Sequence, residues 1–185
     1  MAKTPSNMLP LGTEAPHFEL NDVTTGHRVK ISDTNKYKAT VIMFICNHCP
    51  YVKHVNEELT RLANDYIPKG IQFVAINSND IVNYPDDSPD LMKKSAELNR
   101  YPFPYVFDET QEVAEAYKAA CTPDFYVFDS QLSLVYRGQL DDSRPGNGVP
   151  VTGDSIRRAL DCVLQDKSVD IEQKPSLGCN IKWKA

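Results

Sequence analysis

No stretch of the sequence approaches the roughly 20 consecutive apolar residues that a membrane-spanning helix needs, and residues 1–10 hold no apolar core of signal-peptide length. A cytoplasmic location is the resulting expectation. Positive charge is short too. Only 20 Lys and Arg stand against 25 Asp and Glu, and the basic residues are scattered. Neither a nucleic-acid partner nor an anionic membrane surface is expected. There is no internal repeat and no linker long enough to separate domains, so residues 1–185 are read as one domain. The five cysteines include one Cys-x-x-Cys pair and no second. The odd count argues against a fixed disulfide framework and for a reducing compartment. A zinc shell would have to be completed through the fold by His48, His54, Cys121 or Cys179. Pro50 stands where a c-type haem attachment requires histidine. The loop at 144–148 lacks the strand–loop–helix context of a phosphate loop. No cofactor and no bound metal are expected.

The apolar run at 41–45 leads straight into Cys46-Asn47-His48-Cys49-Pro50. It is short enough to be a strand buried on both faces. Beyond it Val52, Val55, Leu59, Leu62 and Tyr66 share one face of a helix over 50–66, which Pro68-Lys69-Gly70 stops. Residues 71–76 read as a second buried strand. On the N-terminal side, residues 1–16 form an extended segment, and 18–20 and 28–31 flank a turn at Thr25-Gly26 as a hairpin. On the C-terminal side, residues 77–87 read as a polar loop. A helix follows from Ser88 as N-cap and Pro89 as first residue to about Arg100. Residues 105–107 read as a short strand and 111–120 as a helix with Val113, Ala114 and Tyr117 inward. Residues 125–128 and 132–137 pair as strands, 141–150 form a Gly- and Pro-rich loop, and Thr152 or Asp154 caps a helix reaching about Lys167. A C-terminal tail spans 168–185 and is read as irregular from Lys174 on. Strands alternating with helices, then two adjacent strands and a helix, predict an α/β fold with a mixed central sheet flanked by helices.

The two thiols of the pair thus sit where a buried strand ends and a helix begins. Unpaired helix amides and the helix dipole stabilise an anion there, and the thiolate is the reactive form of cysteine. Cys46, at the helix tip, is the expected nucleophile. Cys49, inside and less exposed, is the expected resolving thiol. His48 can offer a hydrogen bond or a charge to the Cys46 thiolate and lower that thiol's pKa.

This pair after a central strand, with Thr122-Pro123 just before a later strand, resembles the thioredoxin-like superfamily. The resemblance implies a cis-proline loop, Thr122-Pro123, facing the cysteines. Gly12-Thr13-Glu14-Ala15-Pro16-His17-Phe18 and Phe103-Pro104-Tyr105-Val106-Phe107-Asp108 are similar to the redoxin branch, which holds the alkyl hydroperoxide reductase and thiol-specific antioxidant (AhpC/TSA) proteins. The Cys46-Asn47-His48-Cys49-Pro50 motif and the tail Gly178-Cys179-Asn180-Ile181-Lys182-Trp183 look like a bacterial subgroup of that branch. What the resemblance implies is a thioredoxin-like fold and thiol–disulfide exchange. Its partners would be protein or small-molecule disulfides and thiols, with a thioredoxin or glutathione system as electron donor. The chain departs from two family patterns. Peroxiredoxins place Thr or Ser three residues, and Pro seven residues, before the reactive cysteine. Here those positions hold Met43 and Ala39 counted from Cys46, and Cys46 and Ile42 counted from Cys49. Thioredoxins proper have Gly-Pro between their cysteines, where this chain has Asn47-His48.

The remaining thiols are weighed against bland roles. Cys121, two residues before Pro123, is either a third exchanging thiol or a small buried hydrophobe. Cys179 is either an auxiliary resolving thiol or an anchor for the tail, and Cys162 inside the last helix reads as structural. Glu57 and Glu58 are either a buried proton acceptor for Cys49 or, as the helical period favours, a surface face; Lys53 either raises the local positive potential or marks a docking edge, and with His54 is read as solvated surface. Three functions follow: a thiol–disulfide oxidoreductase first, then a thiol-dependent peroxidase working through a sulfenic acid, then a redox-sensing or metal-holding interaction module.

Overall fold

The computed structural model describes residues 3–185; the first two residues of the expected extended segment lie outside them. The chain runs β1 (Lys3–Pro5), β2 (Phe18–Asn21), β3 (Arg28–Ile31), β4 (Ala39–Phe44), α1 (Pro50–Tyr66), β5 (Ile71–Asn77), α2 (Pro89–Asn99), β6 (Tyr105–Phe107), α3 (Glu112–Ala116), β7 (Cys121–Thr122), β8 (Asp124–Asp129), β9 (Leu134–Gly138), α4 (Asp154–Leu164) and β10 (Leu177–Asn180). No helix among the described residues is long and apolar enough to cross a membrane.

Five strands form the central sheet in the order β6-β5-β4-β8-β9. β4 runs parallel to β5 and antiparallel to β8, so the sheet is mixed. Every residue of β4 is buried, as its unbroken apolar run requires. Its side chains alternate between two cores. Val41 and Met43 pack with Val52, Leu59 and Leu62 of α1 and with Ile156 and Leu160 of α4. Ile42 and Phe44 pack with Phe18, Ile31, Tyr117 and Phe128 on the other side. The β2–β3 hairpin forms as the sequence predicts, with Gly26 at φ +76° in its turn.

Three helices end where no glycine marks a stop. Arg100, Lys118 and Asp166 each take a left-handed conformation (φ 54°, 49° and 54°). The amides just after them close back onto the helix: Tyr101 donates to the Ala96 carbonyl, Ala119 to Ala114 and Lys167 to Cys162. α3 therefore ends at Ala116 rather than Ala120, and α4 at Leu164 rather than Lys167. Helix starts also differ from expectation in detail. Ser88 occupies the N-cap position of α2, yet its side chain makes no capping bond. At α4 the N-cap is Gly153, not Thr152 or Asp154. The Asp141 carboxylate accepts the Thr152 and Gly153 amides, each at 2.7 Å.

The tail corrects the sequence reading most. Residues 177–180 are not irregular. They form β10, held antiparallel between β1 and β7 in a second, three-stranded sheet. Strands of two to four residues are too short to show a period, which is why the pattern was silent. Gly178 permits the approach: a Cβ there would lie 1.9 Å from the Thr122 carbonyl oxygen.

Candidate functional site

β4 carries the chain to Cys46, and Cys49 is the N-cap of α1 with Pro50 in the first helical turn. Both cysteines are buried, at 2% and 0% exposure, so the expected contrast between an open Cys46 and a closed Cys49 is slight. Thr122 reaches both sulfurs. Its hydroxyl lies 3.4 Å from Cys46 Sγ, and its carbonyl accepts from the Cys49 thiol at 3.2 Å. The Thr122–Pro123 peptide bond is cis. The sequence-predicted Cys46, Cys49, Thr122 and Pro123 are thereby brought into one cluster.

The two thiols shift each other in opposite directions. Cys49 is lowered, first because the Cys46 thiol donates to it; burial opposes this, and the Cys179 thiol and the Val52 amide of the first helical turn add to it. Cys46 is raised by that same bond to Cys49, then by burial and by the charge of Asp87, with the Thr122 hydroxyl pulling the other way. The bond between the two sulfurs thus favours ionisation of Cys49 over Cys46.

His48 is held by a residue the sequence reading passed over. Its Nδ1–H donates to Asp87 Oδ2 at 2.7 Å, and Asp87 is fully buried. The hydrogen bond to Asp87 raises the His48 pKa, with burial opposing. Burial pushes Asp87 up, but the bonds from His48, Asn79 and the Asn47 amide outweigh it and leave the carboxyl lowered. The Asn47 amide donates to Oδ1 at 2.7 Å and Asn79 Nδ2 to Oδ2 at 2.8 Å. The imidazole also stacks on Tyr84, ring centroids 5.7 Å apart. A His48 ring nitrogen, an Asp87 oxygen and Cys46 Sγ all lie within 4.8 Å of one another. That donor set is one short of the four a structural zinc takes. Asp87 and Asn79 lie in the loop read only as polar. The available signal was its place, just past the carboxyl end of a parallel strand beside the cysteine strand, where such folds bind ligands.

Cys179 lies against the pair, its sulfur 2.9 Å from Cys49 Sγ. Burial, then Cys49, push its thiol up to about 12. Cys121 is buried and donates to the Pro123 carbonyl at 3.6 Å, and burial raises its thiol. Cys162 is half-buried on α4. Glu58 is not on a surface face; it is buried and ion-paired with Arg157 at 2.7 Å and with Arg61. Glu57 and Lys53 are exposed, while His54 Nε2 lies 2.7 Å from the Ser143 hydroxyl. A further buried acid, Asp124, begins the strand after the cis-proline, and one of its oxygens, Oδ1, has no hydrogen-bond partner among the described residues. Burial pushes its carboxyl up to about 7.

A mixed sheet whose central strand delivers Cys-x-x-Cys to a helix start, faced by a cis-proline loop, defines a thioredoxin-like α/β protein. Residues 11–137 match the AhpC/TSA family, and the chain belongs to it. No curated protein matches the chain at a significant level. Among solved structures, it is similar to an uncharacterized conserved protein from Geobacillus kaustophilus, with 65% identity, a TM-score of 0.97 and coverage of 100% of this chain and 97% of that one. A hypothetical protein from Sinorhizobium meliloti is 45% identical at a TM-score of 0.95, covering 98% and 99%. The thioredoxin domain of a thiol-disulfide oxidoreductase from Bacteroides vulgatus shares the fold at 20% identity and a TM-score of 0.60, over 70% and 89%.

Proposed function

We propose that the protein is a thiol–disulfide oxidoreductase that cycles Cys46 and Cys49 between dithiol and disulfide. The observation that carries this reading is the shared contact of both sulfurs with Thr122 of the cis-proline loop, 3.4 Å from Cys46 and 3.2 Å from Cys49. In reduction of a substrate disulfide, Cys46 Sγ attacks one sulfur while its proton passes to the Cys49 thiolate. A bond forms between Cys46 and that sulfur, the substrate S–S bond breaks, and the second substrate sulfur leaves as a thiolate. His48, whose pKa the bond to Asp87 raises, supplies the proton that neutralises it. Cys49 then attacks Cys46 Sγ, the first substrate sulfur departs with the Cys49 proton, and the Cys46–Cys49 disulfide remains. Two electrons have moved from the protein to the substrate. A thiol donor, of the thioredoxin or glutathione class, returns them by the reverse steps.

The substrate class is protein or small-molecule disulfides. Cys46→Ser is expected to abolish turnover, and Cys49→Ser to trap a mixed disulfide between Cys46 and the substrate. A Cys49→Ser protein that traps nothing and keeps full activity would contradict the assignment. Family membership favours peroxide reduction as a second reading. Against it, the positions that would supply a peroxide site's hydroxyl and proline hold Met43 and Ala39, both buried in β4. Rapid loss of one thiol to dilute hydroperoxide is the result that would revive it.

A further inference from the structure

We infer that Cys179 is a third redox-active thiol, and that the disulfide formed at Cys46–Cys49 passes on to Cys49–Cys179. The inference rests on the oxidoreductase reading above and deepens it. Its basis is geometry built by the tail. The Cys49 and Cys179 sulfurs are 2.9 Å apart and both side chains are buried. That gap is within about 1 Å of a disulfide bond length.

The contact is set by several independent features. β10 pairs Cys179 with Thr122, the residue that touches both sulfurs of the pair. Gly178 lets the strand come so close that no larger residue fits against the Thr122 carbonyl. Beyond the strand, the Lys182 amide donates to Asn79 Oδ1 at 2.8 Å, and the other end of Asn79 donates to Asp87. The tail is thus fixed on two sides of the site, at Cys49 and at the His48–Asp87 pair. A cysteine serving only as an anchor needs apolar neighbours, not a sulfur partner in the reactive pair.

The exchange balances without an outside reagent. Cys179 Sγ attacks Cys49 Sγ of the Cys46–Cys49 disulfide. The Cys49–Cys179 bond forms, the Cys46–Cys49 bond breaks, and the proton leaving Cys179 ends on Cys46. The protein stays oxidised by two electrons throughout. The consequence is an oxidised protein in which Cys46 is again a free thiol and the disulfide tethers β10 to the start of α1.

The test is linkage mapping after equilibration with oxidised glutathione, by differential alkylation and mass spectrometry of proteolytic peptides. Wild type is expected to yield both Cys46–Cys49 and Cys49–Cys179 peptides, and Cys179→Ser only the first. Cys46→Ser is expected to yield Cys49–Cys179, in at least about tenfold excess over Cys49–glutathione, because the intramolecular thiol acts at high effective concentration. If Cys46→Ser carries only free or glutathionylated Cys49, and wild type only Cys46–Cys49, the relay is overturned and the oxidoreductase reading stands. If wild type forms neither linkage, both fall. The wild-type arm needs no substitution, so it remains decisive if a variant does not fold.

Discussion

His48 Nδ1 lies 2.7 Å from Asp87 Oδ2, a residue 39 positions away and fully buried. The pair ties the residue between the two cysteines to a buried carboxylate. A histidine between two cysteines in solvent would titrate near about 6.5; the hydrogen bond to a buried carboxylate raises it. Asp87→Asn is therefore expected to lower the His48 pKa and to cut exchange about tenfold or more near neutral pH. A proton NMR titration of the His48 ring in both proteins checks this, with a matching downward shift in the alkaline limb of the pH–rate profile. An unchanged histidine titration would contradict it.

The same pair makes stability depend on pH, with a definite sign. His48 has a raised folded pKa, so its contribution is complete below the unfolded value of about 6.5 and is lost as pH rises through the folded value. Asp87 is lowered, so its contribution is present above about 3.9 and is lost as pH falls through its folded value. Denaturation midpoints for wild type and His48→Ala are expected to converge as pH rises through the folded His48 value.

Asp124 adds a second dependence of the same sense as His48. Its carboxyl, pushed up to about 7 by burial, holds its proton in the folded chain well above the unfolded value of about 3.9. The neutral form's advantage is complete below about 3.9 and is lost as pH rises through about 7, roughly 4 kcal/mol in all before structural relaxation. Asp124→Asn is expected to remove this slope and to gain on wild type between about pH 5 and about pH 8. Urea denaturation at the two pH values measures it. A parallel pH dependence in both proteins would contradict the assignment.

Gly178→Ala tests the packing of the tail. The added methyl meets the Thr122 carbonyl at 1.9 Å, so β10 must move away from β7. A loss of about 1–3 kcal/mol is expected from the forced shift, together with a marked fall in the yield of Cys49–Cys179 disulfide. Unchanged stability and linkage would mean that the strand does not press on the cis-proline loop as described.

The sequence exposed the centre of this site and hid its surroundings, for physical reasons. The strand before Cys46 is an unbroken apolar run, and the helix after Pro50 has a clear 3.6-residue period, so the junction holding the pair was readable. Thr122-Pro123 preceded a visible strand. Asp87 gave no local sign, because its role depends on the loop after the neighbouring strand β5 folding back onto His48. Cys179 was visible as a residue but not as a neighbour of Cys49, since the strand carrying it is four residues long and contains Gly178. The helix ends at Lys118 and Asp166 were missed because tertiary context places ordinary residues in a conformation that glycine usually marks.

The central claim is that Cys46 and Cys49 form one two-electron couple, and a graded glutathione titration with differential alkylation of all five thiols tests it most directly. The account predicts one two-electron transition in which Cys49 is fully oxidised, Cys46 and Cys179 divide the other half of the disulfide between them, and Cys162 remains apart. A pair that stays reduced across the whole series, or that oxidises one thiol at a time, would contradict it.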